Sequence, residues 1–206
     1  PSINPSSIIV SGGASSLSTG GSISASSGKG STSGSITVVS ASSDAATGAV
    51  NIGTGSAASP NTGSLLFEVG SQISTSTVAG DVSIISGSGD TGGNIWMKAG
   101  VASSLTGGNI IFSSGSSTAA DSGEVSLITQ NSGTSGTSGA SSISTGISPS
   151  GASGAIQIVT GSAGGSKKSG DMALAAGTST DSLGGAVEIV GGSSTTGGGG
   201  SVQFLL

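Results

Sequence analysis

The chain has 206 residues, a formal net charge of −5, and neither Cys nor His. The lack of Cys excludes a disulfide scaffold and thiolate metal sites, and four Lys and Arg residues are too few for the clustered cations that nucleic-acid binding needs. The 41 Gly residues suggest a disordered linker, but only 6% of residues are charged and the aliphatic residues are regularly spaced, which opposes that interpretation. No apolar run approaches the ~18–20 residues that span a bilayer, so we expect no membrane span.

An eight-residue unit recurs along the whole chain. Its positions, numbered 0 to 7, read Gly, any, aliphatic, any, aliphatic, any, small, Gly, as in residues 80–87. Fourteen copies follow one another at intervals of 13 to 17 residues, and they begin at Ser6, Gly21, Gly34, Gly48, Gly63, Gly80, Gly93, Gly108, Gly123, Gly139, Gly154, Gly170, Gly185 and Gly200. A fixed period of this kind is typical of repeat architectures.

Positions 2 and 4 of the unit are aliphatic or aromatic almost without exception. Ser141 is the one polar residue at position 2, and position 4 is apolar in every copy. This alternation over a short run predicts a β-strand whose positions 2, 4 and 6 share one face. We expect these positions to form a core ladder, which includes Val82, Ile84, Ile95, Met97, Ile110, Phe112, Val125 and Leu127.

Gly at positions 0 and 7 brackets nearly every predicted strand, and a Ser/Thr/Ala/Gly segment joins one copy to the next. Helix is disfavoured because each Gly costs about 1 kcal/mol in a helix interior. One strand per copy cannot bury its own apolar face, but stacked copies can. The predicted fold is therefore all-β: a parallel β-solenoid (β-helix) with about 14 coils of roughly 15 residues, forming a single domain over residues 1–206. We expect it to be a segment of a longer array or filament.

The Gly-bracketed unit resembles the Gly/Ser-rich short-repeat β-solenoids of very large extracellular proteins of algae and other stramenopiles, and those of some viral fibres. The resemblance covers essentially the whole chain. It implies a structural role outside the cell or on a cell or virion surface, and it brings no catalytic residue with it.

The residues that carry chemistry form no recognisable site. The nine Asp and Glu residues fall at scattered positions of the unit, without the paired arrangement that general acid–base catalysis needs. Most copies lack the regularly placed Asp of calcium-binding β-rolls. Neither 197–200 nor 161–168 has the following helix of a phosphate-binding loop, and the adjacent Lys167 and Lys168 are expected on a solvated loop. We therefore predict no catalytic residue, no metal, no cofactor and no enzymatic activity.

Several odd positions, which the predicted strand turns outward, are unexpectedly apolar. They include Trp96 and Ile111, and we single out as a possible interface Trp96, Ile111, Ile85, Leu66, Ile128, Val159 and Val190. A solvated strand face should be polar there. Two interpretations stay open: cover by loops or a second layer of the same chain, or a lateral interface with another molecule, for which Trp96 would be the anchor.

Two functions from different classes follow from these patterns. The first is a structural protein that forms a stiff extracellular fibre, sheath or surface appendage. Its expected partners are further copies, bound end to end or laterally, other structural proteins, or glycans. The alternative is an ice-binding or glycan-binding, adhesive solenoid. Its support is a broken Thr column two residues before the unit Gly, formed by Thr19, Thr32, Thr91, Thr106 and Thr137.

Overall fold

The computed structural model describes residues 7–58, 62–71 and 78–205, and no helix or strand occurs among them. Ser6, which begins the first copy, lies outside the described residues. The chain falls into two units, Pro1–Lys98 and Ala99–Leu206. All the contacts between successive copies described below lie within one unit or the other.

Bends and turns mark the boundaries between copies. Each described bend or turn lies in the segment between position 7 of one copy and position 0 of the next, for example at 89–91, 103–105, 118–120 and 195–197. Positions 0 to 7 of the described copies contain no bend. Ser and Asp are concentrated in the joining segments, and these residues favour turns because their side chains hydrogen-bond to nearby backbone groups. The repeat found in the sequence is therefore also a repeat of local conformation.

A backbone hydrogen bond closes many of the joining segments. The N–H of the Gly at position 0 donates to the carbonyl oxygen of the Gly at position 7 of the preceding copy, over 2.8 to 3.2 Å, in the pairs Gly21–Gly13, Gly34–Gly28, Gly93–Gly87, Gly108–Gly100, Gly123–Gly115, Gly185–Gly177 and Gly200–Gly192. Each bond brings the end of one copy beside the start of the next. The chain thus doubles back at each closed segment.

Position 6 of one copy contacts position 0 of the next at all thirteen junctions. A β-carbon at Gly93 would lie 3.3 Å from Ser86 Cβ, and one at Gly185 would lie 3.3 Å from Ala176 Cβ. These two distances are tighter than most β-carbon contacts. An added β-carbon would be crowded in this way at six of the thirteen position-0 glycines, whereas at the other seven the nearest atom would lie 3.5 to 4.0 Å away, an ordinary contact. The Gly at position 7 has space instead: a β-carbon at Gly87 or Gly192 would meet nothing within 4 Å. The two glycines of the unit therefore have different roles.

The predicted β-solenoid is wrong. In stacked coils, the start of each strand lies on the start of the previous one, and the two ends of a strand with seven residue steps are about 23 Å apart. Here, position 0 is hydrogen-bonded to position 7 of the preceding copy, so starts lie beside ends. Among the described residues no strand forms, and neither the β-solenoid nor the β-helix description applies.

The stacked core expected with that fold is not formed in the described part of the chain. None of its hydrophobic side chains is buried. The residues expected in the core ladder are between 49% and 84% exposed; they are Val82, Ile84, Ile95, Met97, Ile110, Phe112, Val125 and Leu127. The apolar positions of the unit are therefore arranged periodically but remain accessible.

Substitution of Gly191 should disturb one junction selectively. Gly191 occupies position 6, and a β-carbon there would overlap the Gly200 carbonyl oxygen. We expect Gly191→Ala to open the bond from the Gly200 N–H to Gly192 and to raise amide exchange at Gly200 by about fivefold, the equivalent of one neutral hydrogen bond.

The matched control is the neighbouring Gly192→Ala, where the added methyl group meets nothing within 4 Å. NMR-detected hydrogen exchange at Gly200 distinguishes the two variants. Equal exchange rates in Gly191→Ala and Gly192→Ala would contradict the steric argument.

Candidate interaction surface

Position 2 of the unit is more covered than the odd positions. We call the side chains at positions 2, 4 and 6 the even face, and those at positions 1, 3 and 5 the odd face. From the second copy onward, the aliphatic side chains at position 2 are 43% to 61% exposed, whereas the large apolar side chains at positions 3 and 5 are 74% to 88% exposed. Position 2 is thus more covered than the odd positions, whereas the large side chains at position 4 are 55% to 84% exposed and overlap them.

Position 6 is the most covered position of the unit. Ser86, Ala99, Ala176 and Gly191 are the only described residues that are half-buried rather than exposed, and all four occupy position 6. Ser86 Oγ also donates a hydrogen bond of 3.0 Å to the Gly93 carbonyl oxygen at position 0 of the next copy. Small residues recur at position 6 because the next copy approaches there most closely.

Charged residues avoid the even face completely. Of the thirteen charged residues, seven lie in the joining segments and six lie at odd positions of the unit, namely Glu68, Asp81, Lys98, Glu124, Asp171 and Glu188. Burying a charge without a partner costs far more free energy than burying an aliphatic side chain releases. The two faces therefore differ in chemistry.

An open groove of about 380 Å³ lies between two successive copies in the first unit. Phe67, Val82 and Ile84 supply its even-face walls, and Ser83 completes the lining. Its wall is almost entirely carbon, so it offers no constellation of polar groups that would fix and polarise a substrate. It can accept an aliphatic or aromatic group from another molecule.

The residues predicted as a possible interface are all exposed. Trp96, Leu66 and Ile85 belong to the first unit, and Ile111, Ile128, Val159 and Val190 belong to the second. Each is at least 74% exposed. In the described structure, loops and other copies leave these side chains largely accessible, and their role as an interface stays a prediction.

The one ion pair of the described residues joins Lys168, in the joining segment 162–169, to Asp171 at position 1 of the next copy. Lys168 Nζ donates to Asp171 Oδ2 at 2.6 Å, and both side chains are 77% exposed. Such surface pairs contribute little to stability because water screens them and their side chains lose conformational freedom. Gly165 in the same segment has φ of 65°, in the left-handed region that glycine adopts without strain.

A recurrent serine in the joining segments was missed by the sequence analysis. Its hydroxyl accepts a hydrogen bond of 2.8 to 3.4 Å from a backbone N–H two or three residues later. The six serines all occupy position 9 when numbering continues past the unit: Ser15, Ser43, Ser117, Ser148, Ser179 and Ser194. Counting forward from each unit, rather than backward from the next Gly, would have revealed them.

The described residues show no centre for metal chemistry and no helix of the kind that crosses a membrane. No three acidic side chains among them converge to hold a metal ion. The searched part of the chain also contains no helix long and apolar enough to span a bilayer. The Thr residues of the broken column lie in the joining segments and are exposed.

Comparison with known proteins leaves the chain without an assigned relative. No family model, no curated protein and no solved structure matches it.

Removal of one position-9 hydroxyl should loosen a single joining segment. Ser117 Oγ accepts from the N–H groups of Ala119 and Ala120, at 3.2 and 2.8 Å. We expect Ser117→Ala to raise amide exchange at Ala120 by about fivefold, since one exposed neutral hydrogen bond contributes about 1 kcal/mol.

The neighbouring Ser116 provides the control, because its hydroxyl accepts no backbone bond in the described structure. Ser116→Ala should leave the exchange rate of Ala120 unchanged. If both variants raise that rate equally, the loss of hydroxyls in general, rather than the position-9 turn, is responsible.

Proposed function

We propose that the chain is a structural, non-catalytic repeat protein that self-associates as a segment of an extracellular fibre, sheath or surface appendage. The observation that carries this proposal is the uncovered apolar repeat. Hydrophobic residues make up 33% of the chain, yet none of the described ones is buried. A repeat that cannot cover its apolar side chains internally is stabilised by burying them against neighbours.

The exposed surface gives the scale of what is left uncovered. The chain exposes 20248 Å², whereas a compact monomer of its mass exposes about 8,300 Å². Most of the apolar surface that a globular protein removes from water is still accessible here. Association with other molecules would bury this apolar surface and release the free energy that its removal from water provides.

Composition favours assembly over a permanently solvated chain. Disordered segments combine low hydropathy with high net charge, whereas this chain has a mean hydropathy of +0.29 and only 6% charged residues. A net charge of −5 spread over 206 residues opposes close approach only weakly. Placement outside the cell rests on the resemblance to Gly/Ser-rich repeats of extracellular proteins.

Sedimentation velocity over a range of protein concentrations, with electron microscopy of the same samples, tests this function. We expect larger species and elongated assemblies to grow as concentration rises. A monodisperse monomer at every concentration would contradict the proposal. Thermal hysteresis from such a monomer would instead favour ice binding.

The salt dependence of assembly should identify the force responsible. Association through apolar surface is strengthened by sulfate, which is excluded from protein surfaces, and sodium chloride screens few charges here. We therefore expect sodium sulfate to promote assembly and sodium chloride to leave it nearly unchanged, as measured by light scattering. Dissolution of the assemblies by sodium chloride would indicate ionic association instead.

A further inference from the structure

We infer that self-association pairs the even face of one chain with the even face of a second copy, while the odd face stays in water. This inference rests on the proposed function and specifies its contact surface. It differs from the lateral interface expected at Trp96 and the other outward residues, which belong to the odd face.

The distribution of charge favours the even face. Positions 2, 4 and 6 carry no charged residue in any of the fourteen copies. The odd face carries carboxylates in the same copies as its aliphatic residues, for instance Glu124 with Ile128 and Glu188 with Val190. An odd-face contact would desolvate these carboxylates without supplying partners, since the chain has only four Lys and Arg residues.

The geometry of the copies favours the same face. Position-2 side chains are already 39% to 57% covered by their surroundings, as their 43% to 61% exposure implies. One further layer of apolar side chains would cover the part of these side chains that is still exposed. In the first unit, the groove lined by Phe67, Val82 and Ile84 shows an even-face depression that is open to an apolar group.

The repeat identifies the occupant as a second copy. The uncharged aliphatic groups of the even face recur with the repeat, mostly every 15 residues of chain. A matching partner must present uncharged aliphatic groups that recur in the same way. The even face of the same chain meets this requirement by construction. Two such faces can pair about a twofold axis, in which the same surface of each chain forms the contact. Twofold symmetry is the commonest symmetry of soluble homo-oligomers.

Charge substitutions at equivalent copies test the inference in the full chain. Ile156→Glu with Val187→Glu places two carboxylates on the even face at position 2. Val159→Glu with Val190→Glu places the same charges in the same two copies on the odd face at position 5. Both pairs change net charge equally, so only the face differs.

We expect the even-face pair to weaken self-association by about tenfold or more, because each carboxylate would be buried without a partner. The odd-face pair should leave the dissociation constant, measured by sedimentation equilibrium, nearly unchanged. Weakening by the odd-face pair alone, or equal weakening by both, would overturn the inference while the proposed function survives. An unsubstituted chain that never associates would overturn the proposed function itself.

A second measurement avoids adding charge. Ser141 lies on the even face at position 2 and its neighbour Ser142 on the odd face at position 3. The chain contains no Cys, so Ser141→Cys and Ser142→Cys each introduce a unique thiol. Iodoacetamide should alkylate the thiol at 141 more slowly by about tenfold in assemblies than in dilute monomer, because only the thiolate in contact with water reacts. The thiol at 142 should react equally in both states; protection at 142 instead of 141, or equal protection at both positions, would refute the even-face pairing.

Discussion

The contact between the end of one copy and the start of the next is the constraint on which the rest of the structure depends. Position 6 of the preceding copy lies against position 0, so an added β-carbon at position 0 would be crowded at six of the thirteen junctions and in ordinary contact at the other seven. The backbone bond from position 0 to position 7 then closes the joining segment in many copies. Both features use backbone and small side chains, so they repeat without any need for a large core residue.

The contacts that join successive copies do not bury the larger apolar side chains of the unit. Burying a Val, Leu or Ile side chain fully stabilises a protein by about 1.5–3 kcal/mol, and the position-2 residues from the second copy onward remain 43% to 61% exposed. A single chain therefore gains only part of that free energy. The chemistry of the repeat, with charge confined to odd positions and joining segments, leaves the remainder available to an apolar neighbour.

The sequence predicted the local organisation of the chain better than its tertiary arrangement. The Gly-bracketed units coincide with the bend-free segments, and position 2 is more covered than positions 3 and 5, but position 4, which alternation places on the same face as position 2, is 55% to 84% exposed. Alternation is compatible with two arrangements: coils stacked in parallel, and copies whose chain doubles back at the joining segment. It does not distinguish them, because both place positions 2, 4 and 6 together. The short joining segments, such as 88–92, favoured doubling back, since parallel connections usually need a dozen or more residues. The uncovered side chains could not be foreseen, because burial depends on what surrounds a residue.

The uniform junction has a consequence for how such a chain can change its length over generations. Each position 0 contacts position 6 of its immediate predecessor at all thirteen junctions. Duplicating one copy together with its joining segment would create a new junction of the same kind, with Gly at position 0 as at the existing thirteen junctions. Tandem duplication or deletion could thus lengthen or shorten the molecule without compensating substitutions elsewhere, and molecular length becomes a property that recombination adjusts in single steps.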